Sequence, residues 1–353
     1  MPVPRSPGGE TFGLQSAKRG GFLSPARHMP AKQEAMAGKA GKDDSVILSI
    51  GEAVVDFFSA PLQDGTFGFR PVLGGSPFNL ALGLGRLGTP VGYSWALSTD
   101  LFGGLFLDAL TDADVDVNRI VHTSLPSTLA FVDTSAKQPR YAFFDHESAG
   151  RVFDPVDASS LTDDIAVLHT GSFALGTEPV GSRLENLLTV EAGARLISLD
   201  INVRPELVDD DDAYRSRLTR LMAIADIIKA SDEDLAWLYP DVPHDFVIEA
   251  WLEAGAAICA ITLGPRGARV SSTGFDQIRP PHARDVVDTV GAGDAFMAGF
   301  LASLEESGAF RANGLARLNS HALEAALDFG QRASAHVCAH RGAEMPWRYE
   351  LMD

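Results

Sequence analysis

The residues that look most capable of chemistry lie in "DTVGAGDAFMAGF", residues 288–300. A carboxylate, Asp294, follows the glycine turn Gly291-Ala292-Gly293 and falls on the first turn of an apolar helix. A strand-like run, Asp285-Val286-Val287, is expected to lead into that turn. Successive N–H groups at a glycine-rich helix start form an anion-binding concavity, and the helix dipole adds positive potential. A phosphate is expected on the N–H groups of Ala292, Gly293 and Asp294. A carboxylate beside a bound phosphate repels it, so Asp294 suits another task. It can accept the proton of a hydroxyl that attacks phosphorus. The plain structural alternative is an acid favoured at a helix N-terminus.

A second constellation is "GGSPFNLALGLGRLG", residues 74–88. Its glycines at 83, 85 and 88 formally match a dinucleotide fingerprint. They do not follow a strand or open a helix, as that mechanism requires. The helix is expected to open earlier, with Ser76 as N-cap and Pro77 at the first helical position. Leu80, Leu84 and Leu87 form its apolar stripe, and Gly83 and Gly85 permit close packing. The chemically useful part is Gly74-Gly75, with exposed N–H groups, and Asn79, whose amide both donates and accepts. In "GEAVVDF" (51–57), Asp56 is expected at the end of the first strand, where it can accept bonds from neighbouring hydroxyls.

The elements that must position these groups read as α/β. Short apolar runs at 45–51, 91–97, 165–171, 195–201, 225–230 and 256–264 are expected strands. Amphipathic stretches at 180–193, 213–224 and 244–254 lie among them. This alternation predicts a doubly wound, mainly parallel sheet with helices on both faces and ligands beyond the carboxyl ends of its strands. Segments at about 62–73 and 127–150 break the rhythm and read as a small β lid. In the second, strands near Thr128–Asp133 and Arg140–Phe144 flank a turn-prone Ser135–Pro139.

The whole chain narrows the partners. It has 353 residues and a net charge of −18, which argues against nucleic acid. No apolar run reaches the roughly 18 residues of a membrane span. The two cysteines, Cys259 and Cys338, are no disulfide framework and fit a reducing cytoplasm. Residues 1–44 are rich in Gly, Pro, Ala and basic residues and read as a flexible extension before a single domain at 45–353. His336 and His340 are four apart on an expected helix with Cys338 between them. No third ligand accompanies them, so a structural or exposed pair is expected rather than zinc. His146, in the lid segment, is the better functional candidate.

The two signatures resemble those of the ribokinase-like (PfkB) carbohydrate kinases, and the resemblance spans roughly residues 45–348. Within that family "LDINVRPEL" (199–207), "KASDEDLAWL" (229–238), "TLGPRGARV" (262–270) and "YAFFDHESAGR" (141–151) look most like fructokinases. The resemblance implies ATP with Mg²⁺ and transfer of the γ-phosphoryl group to a sugar hydroxyl. It implies Asp294 as catalytic base, with Gly291, Ala292 and Gly293 as the anion hole. Asp56, Gly74, Gly75 and Asn79 would hold the sugar, with Arg204 approaching substrate and phosphates. Thr262, Gly264 and Gly267 would line the nucleotide, and Ser231 and Asp234 would stand where the family places a metal- and phosphate-linked element. Asp288 falls where the family places a backbone ligand for a monovalent cation such as K⁺.

There are departures from the pattern. The family's Asn-x-x-Glu element reads Ser231-Asp232-Glu233-Asp234, with a shorter carboxylate at its end. Pro346 stands where ribokinases often carry serine. Fructose is the expected sugar, phosphorylated at the 6-hydroxyl. A 2-keto-3-deoxygluconate kinase, ribokinase or a non-catalytic sugar- or nucleotide-binding regulator are the alternatives. The resemblance also leaves room for a homodimer through the β lid.

Overall fold

The computed structural model describes residues 45–61, 64, 66–133, 140–155, 161–208, 210–282 and 284–352. These fall in one compact unit. The expected extension, the Ser135–Pro139 turn and part of the lid segment at 62–65 lie outside them.

In chain order the elements are β1 (Val46–Ile50), β2 (Val54–Pro61), β3 (Phe67–Gly74), α1 (Ser76–Arg86), β4 (Val91–Ser94), β5 (Ala96–Ser98) and α2 (Leu101–Asp112). They continue with β6 (Val121–Thr123), β7 (Thr128–Asp133), β8 (Arg140–Phe144), β9 (Ile165–Gly171), α3 (Val180–Glu191), β10 (Leu196–Asp200) and α4 (Asp211–Met222). The last are β11 (Ile227–Ser231), α5 (Asp232–Leu238), α6 (His244–Ala254), β12 (Ile258–Thr262), β13 (Ala268–Ser272), β14 (Phe275–Arg279), α7 (Ala292–Glu306) and α8 (Ser320–Cys338).

The main sheet runs β14-β13-β12-β11-β10-β9-β1-β4. From β12 to β4 every pairing is parallel, as the continuous apolar runs imply for strands buried on both faces. The β13–β14 hairpin extends the sheet antiparallel, an edge the sequence reading did not foresee. The expected strand at 91–97 divides. After β4, Trp95 turns inward against Phe153, with ring centroids 4.8 Å apart, and β5 pairs with β6 instead.

The chain passes from β1 to β4 on one side and then returns to β9 on the other. The connections therefore reverse between β1 and β9, and a crevice beyond their carboxyl ends is the expected ligand site. The helices α7 and α8 pack closely against each other. A Cβ on Gly299 would lie 2.9 Å from the Phe329 carbonyl, so glycine permits the approach.

The lid is a four-stranded sheet ordered β3-β2-β7-β8. Its central strand β2 includes Asp56, paired with Val72 and Ala130. Asp56 is thus inside the lid rather than at the end of the first strand, because the chain starts a new strand at Val54. Alternation places Val54, Asp56, Ala130 and Phe143 on one face, where Val54 and Ala130 pack with Phe173. The other face is aromatic. Phe57 stacks on Phe131 at 4.7 Å, and Phe67 and Phe144 are 61% and 59% exposed.

Candidate active site

The N-cap of helix α7 is Gly291, whose φ of +77° is a left-handed conformation open to glycine. No side chain caps this end, so its N–H groups remain for another acceptor. Ala292 N–H is spent on Thr289 O at 3.2 Å. The expected three-donor concavity is therefore reduced to Gly293 and Asp294. The expected strand 285–287 is irregular chain instead. Val286 and Val287 are mostly exposed, and the Val287 N–H donates to Cys338 O at 2.7 Å.

The crossing of α1 and α7 delivers the partners of Asp294. A Cβ on Gly83 would stand 2.8 Å from that of Ala298, so the helices nearly touch. Asp294 is buried, and its carboxylate accepts Ser76 Oγ–H at 2.7 Å and Asn79 Nδ2–H at 2.8 Å. Ser76 is therefore the first helical residue rather than the cap, and Gly75 is the N-cap. The hydroxyl binds a distant carboxylate instead of its own helix. The Asn79 Oδ1 atom is buried without a partner among the described residues. A buried acceptor in that state fits a ligand that brings a donor, such as a hydroxyl.

Lys229, absent from the expected site residues, completes the centre. Its ammonium meets both oxygens of Asp200 at 2.9 and 3.0 Å, with both side chains almost wholly buried. A Cβ on Gly293 would lie 3.0 Å from Lys229 Nζ. The cation thus sits directly under the anion-binding turn. Burial opposes its charge, but attraction to Asp200, Asp234 and Asp294 outweighs burial and raises its pKa. The available signal was one lysine inside the apolar strand "ADIIKA", which needs a counter-ion.

The expected sugar-binding residues gather at the lid base. A Cβ on Gly74 would lie 2.6 Å from Asp56 Oδ2, and one on Gly75 would lie 2.2 Å from Glu52 O. Gly75 also has φ +106°, so the turn requires glycine twice over. Burial raises the Asp56 pKa to about 6, against the pull of Arg204. Arg204 is exposed and donates to Val203 O at 2.8 Å.

Ser231 and Asp234 form a reciprocal cap on α5. Asp234 accepts the N–H groups of Ser231 at 2.7 Å and Val203 at 2.8 Å. Its carboxylate is occupied locally, while its charge still reaches Lys229. Among the described residues no group of three or more His, Cys, Asp or Glu side chains could hold a metal.

Thr262 pairs with Ser231 at the carboxyl ends of adjacent strands, and Gly264 follows it. A Cβ on Gly267 would lie 1.9 Å from the Arg279 carbonyl, so its direct neighbour is the hairpin backbone. Asp288 binds the N–H groups of Val290 at 3.1 Å and Gly342 at 2.9 Å, joining its segment to the 340–346 loop. His146 is exposed in a turn beyond β8, since the strand ends at Phe144. The His336 and His340 rings lie tilted at 30° with centroids 4.5 Å apart, and His340 lies just past α8.

The arrangement is an anion-binding turn backed by a cation, a held carboxylate, and polar groups at the base of the lid. It can bring a hydroxyl and a phosphate together. The model of the pfkB family carbohydrate kinases matches residues 44–348. The chain belongs to that family and is a carbohydrate kinase. It is 40% identical over 278 residues to a fructokinase of Rhizobium leguminosarum bv. trifolii, covering 79% of this chain and 85% of the relative. It superposes on the structure of a fructokinase with bound ATP from Xylella fastidiosa with a TM-score of 0.78 and 25% identity, covering 87% of this chain and 97% of that one. A fructokinase double mutant from Vibrio cholerae O395, in a fructose-, ADP- and potassium-bound form, shares the fold with a TM-score of 0.76 and 23% identity, covering 89% of this chain and all of that one.

Proposed function

We propose that this protein transfers the γ-phosphoryl group of ATP to the 6-hydroxyl of D-fructose. The observation that carries the reading is Asp294, buried and held by Ser76 and Asn79 at the anion-binding end of α7. The similarity to fructokinases supports the choice of sugar.

In this mechanism Asp294 accepts the hydroxyl proton as the sugar oxygen attacks the γ-phosphorus. The new O–P bond forms while the bond to the ADP oxygen breaks. Negative charge on the transferring group faces the N–H groups of Gly293 and Asp294, with the Lys229 ammonium beneath. Asp200 keeps Lys229 in place. Asn79 Oδ1 and Asp56 accept other sugar hydroxyls, and the lid excludes water, so hydrolysis without sugar is slow. Mg²⁺, when bound, offsets charge on the phosphates. Thr262, Gly264 and Gly267 line the nucleotide side, with the Ser231–Asp234 cap beside them. The segments joined by Asp288 would hold K⁺. The aromatic outer face of the lid, with Phe67 and Phe144, is the surface through which two copies would pair. A cytoplasmic setting agrees with the two free cysteines. No helix among the described residues is long and apolar enough to cross a membrane.

A second reading has one observation in its favour. Arg204 forms no ion pair among the described residues, so its guanidinium could receive the carboxylate of 2-keto-3-deoxygluconate. The test is ADP release with and without D-fructose, with the phosphorylated position identified by ³¹P–¹H NMR. Sugar-dependent release with phosphate on C6 is expected. Release unaffected by fructose would overturn the proposal.

A further inference from the structure

The β7–β8 half of the lid meets the rest of the domain at a buried polar knot. Asp145, just past β8, is 5% exposed. Its Oδ1 atom accepts the hydroxyls of Thr128, the first residue of β7, and of Ser148, each at 2.8 Å. Its Oδ2 atom accepts Arg151 Nε–H, and Arg151 Nη1 donates to the Glu178 carbonyl at 3.3 Å, just ahead of α3. One residue before Thr128, Ser127 gives its N–H and its hydroxyl to Asp100 at 2.9 and 2.8 Å. Asp100 is itself fixed as the cap of α2. The start of β7 is therefore fastened to the body of the domain on two sides.

From Thr128 the geometry carries to the sugar side. In the parallel β7–β2 register Thr128 lies opposite Val54, and Ala130 lies opposite Asp56. Alternation puts all four on the inner face of the lid. Val54 and Ala130 rest on Phe173, in the turn after β9, and Phe143 meets the same ring edge-on with centroids 5.3 Å apart. That apolar contact lets the lid settle over the crevice. It is non-directional and does not fix a register. Hydrogen bonds to a charged group are directional, and a buried ionic group adds less to net stability than to a defined geometry.

We propose that Asp145 is a positioning residue of the lid. Through the Thr128 hydroxyl it sets the level of β7, and through the β7–β2 pairing it sets Asp56 over the sugar. The inference rests on the sugar-kinase reading above and deepens it. Asp145 touches neither substrate, yet it keeps phosphate transfer coupled to sugar. A lid set out of register would bind sugar more weakly and admit water to the γ-phosphate.

The experiment compares wild type, Thr128→Val, Thr128→Ser and Asp145→Asn, with folding checked by thermal melts. It measures the KM values for D-fructose and ATP, and the rate of ATP hydrolysis without sugar as a fraction of kcat with fructose. Thr128→Val keeps the branched shape and removes the hydroxyl. In Thr128→Val and Asp145→Asn the KM for fructose and the hydrolysis fraction should each rise about tenfold, with the KM for ATP within about twofold of wild type. Thr128→Ser keeps the hydroxyl and should match wild type. The double variant Thr128→Val/Asp145→Asn should be no worse than the more affected single variant, since both break one link. A merely structural role would lower the melting temperature and leave the fructose-to-ATP split and the hydrolysis fraction unmoved. That result overturns the inference, as does an equal rise in both KM values. Thr128→Val decides the matter alone if Asp145→Asn does not fold. Absence of fructose turnover by the wild type overturns the underlying reading, whereas turnover with an unmoved split overturns only the role of Asp145.

Discussion

The hydroxyl of Ser76 donates to the carboxylate of Asp294 at 2.7 Å, joining the first turns of two helices 218 positions apart in the chain. Asn79 binds the other carboxylate oxygen from the same turn. The carboxylate is thereby aimed before substrate arrives, with buried surroundings that strengthen its bonds.

Asp294→Asn keeps the shape and removes the proton acceptor. Its kcat should fall by about 10² to 10⁴, the usual contribution of a general base. The dissociation constants of ATP and fructose should change little. Steady-state kinetics with equilibrium binding on the folded variant test this, and near-normal turnover would remove Asp294 from the role.

Lys229→Met leaves Asp200 buried without its counter-ion. Breaking such a pair costs about 3–5 kcal/mol, so the variant should melt well below wild type. Lys229→Met/Asp200→Asn should recover much of the lost stability and little of the activity. Thermal melts and kcat on both proteins separate the two roles. Full activity in the double variant would make the pair purely structural.

Gly293→Ala tests the turn without backbone strain, since its φ is not in the left-handed region. The added methyl would lie 3.0 Å from Lys229 Nζ, inside the space assigned to phosphate. KM for ATP should rise and kcat should fall, with an unchanged melting temperature. Unaltered ATP kinetics would place the phosphate elsewhere.

Much of this centre was legible in the sequence. Gly291 and Gly293 announced a turn, and Asp294 was an acid in an odd place. The parallel strands were visible because double burial leaves continuous apolar runs. Ser76 was misread because Ser followed by Pro has the form of a helix start. Its hydroxyl is diverted by a carboxylate that only tertiary packing brings near. Asp56 was placed one strand too early because "GEAVVDF" carries no strong break between β1 and β2. The role of Lys229 depends on which charges meet across the sheet, and spacing along the chain does not encode that.

Asp56 gives a test by pH. Its pKa rises on folding from 3.8 to about 6, so the folded state holds the proton more tightly. The contribution to stability is present below pH 3.8 and is lost as pH rises through about 6. Asp56→Asn lacks this loss. Its melting temperature relative to wild type should therefore climb between pH 4 and pH 6.5, while its KM for fructose rises more than its KM for ATP. A difference that is flat with pH would contradict the burial argument.

The central claim is the choice of reaction and sugar. Its most direct test is kcat/KM with saturating ATP for D-fructose, D-ribose, 2-keto-3-deoxygluconate and fructose 6-phosphate, measured side by side. The account predicts that fructose is best. A tenfold or greater preference for any of the others, about 1.4 kcal/mol in transition-state binding, would contradict it.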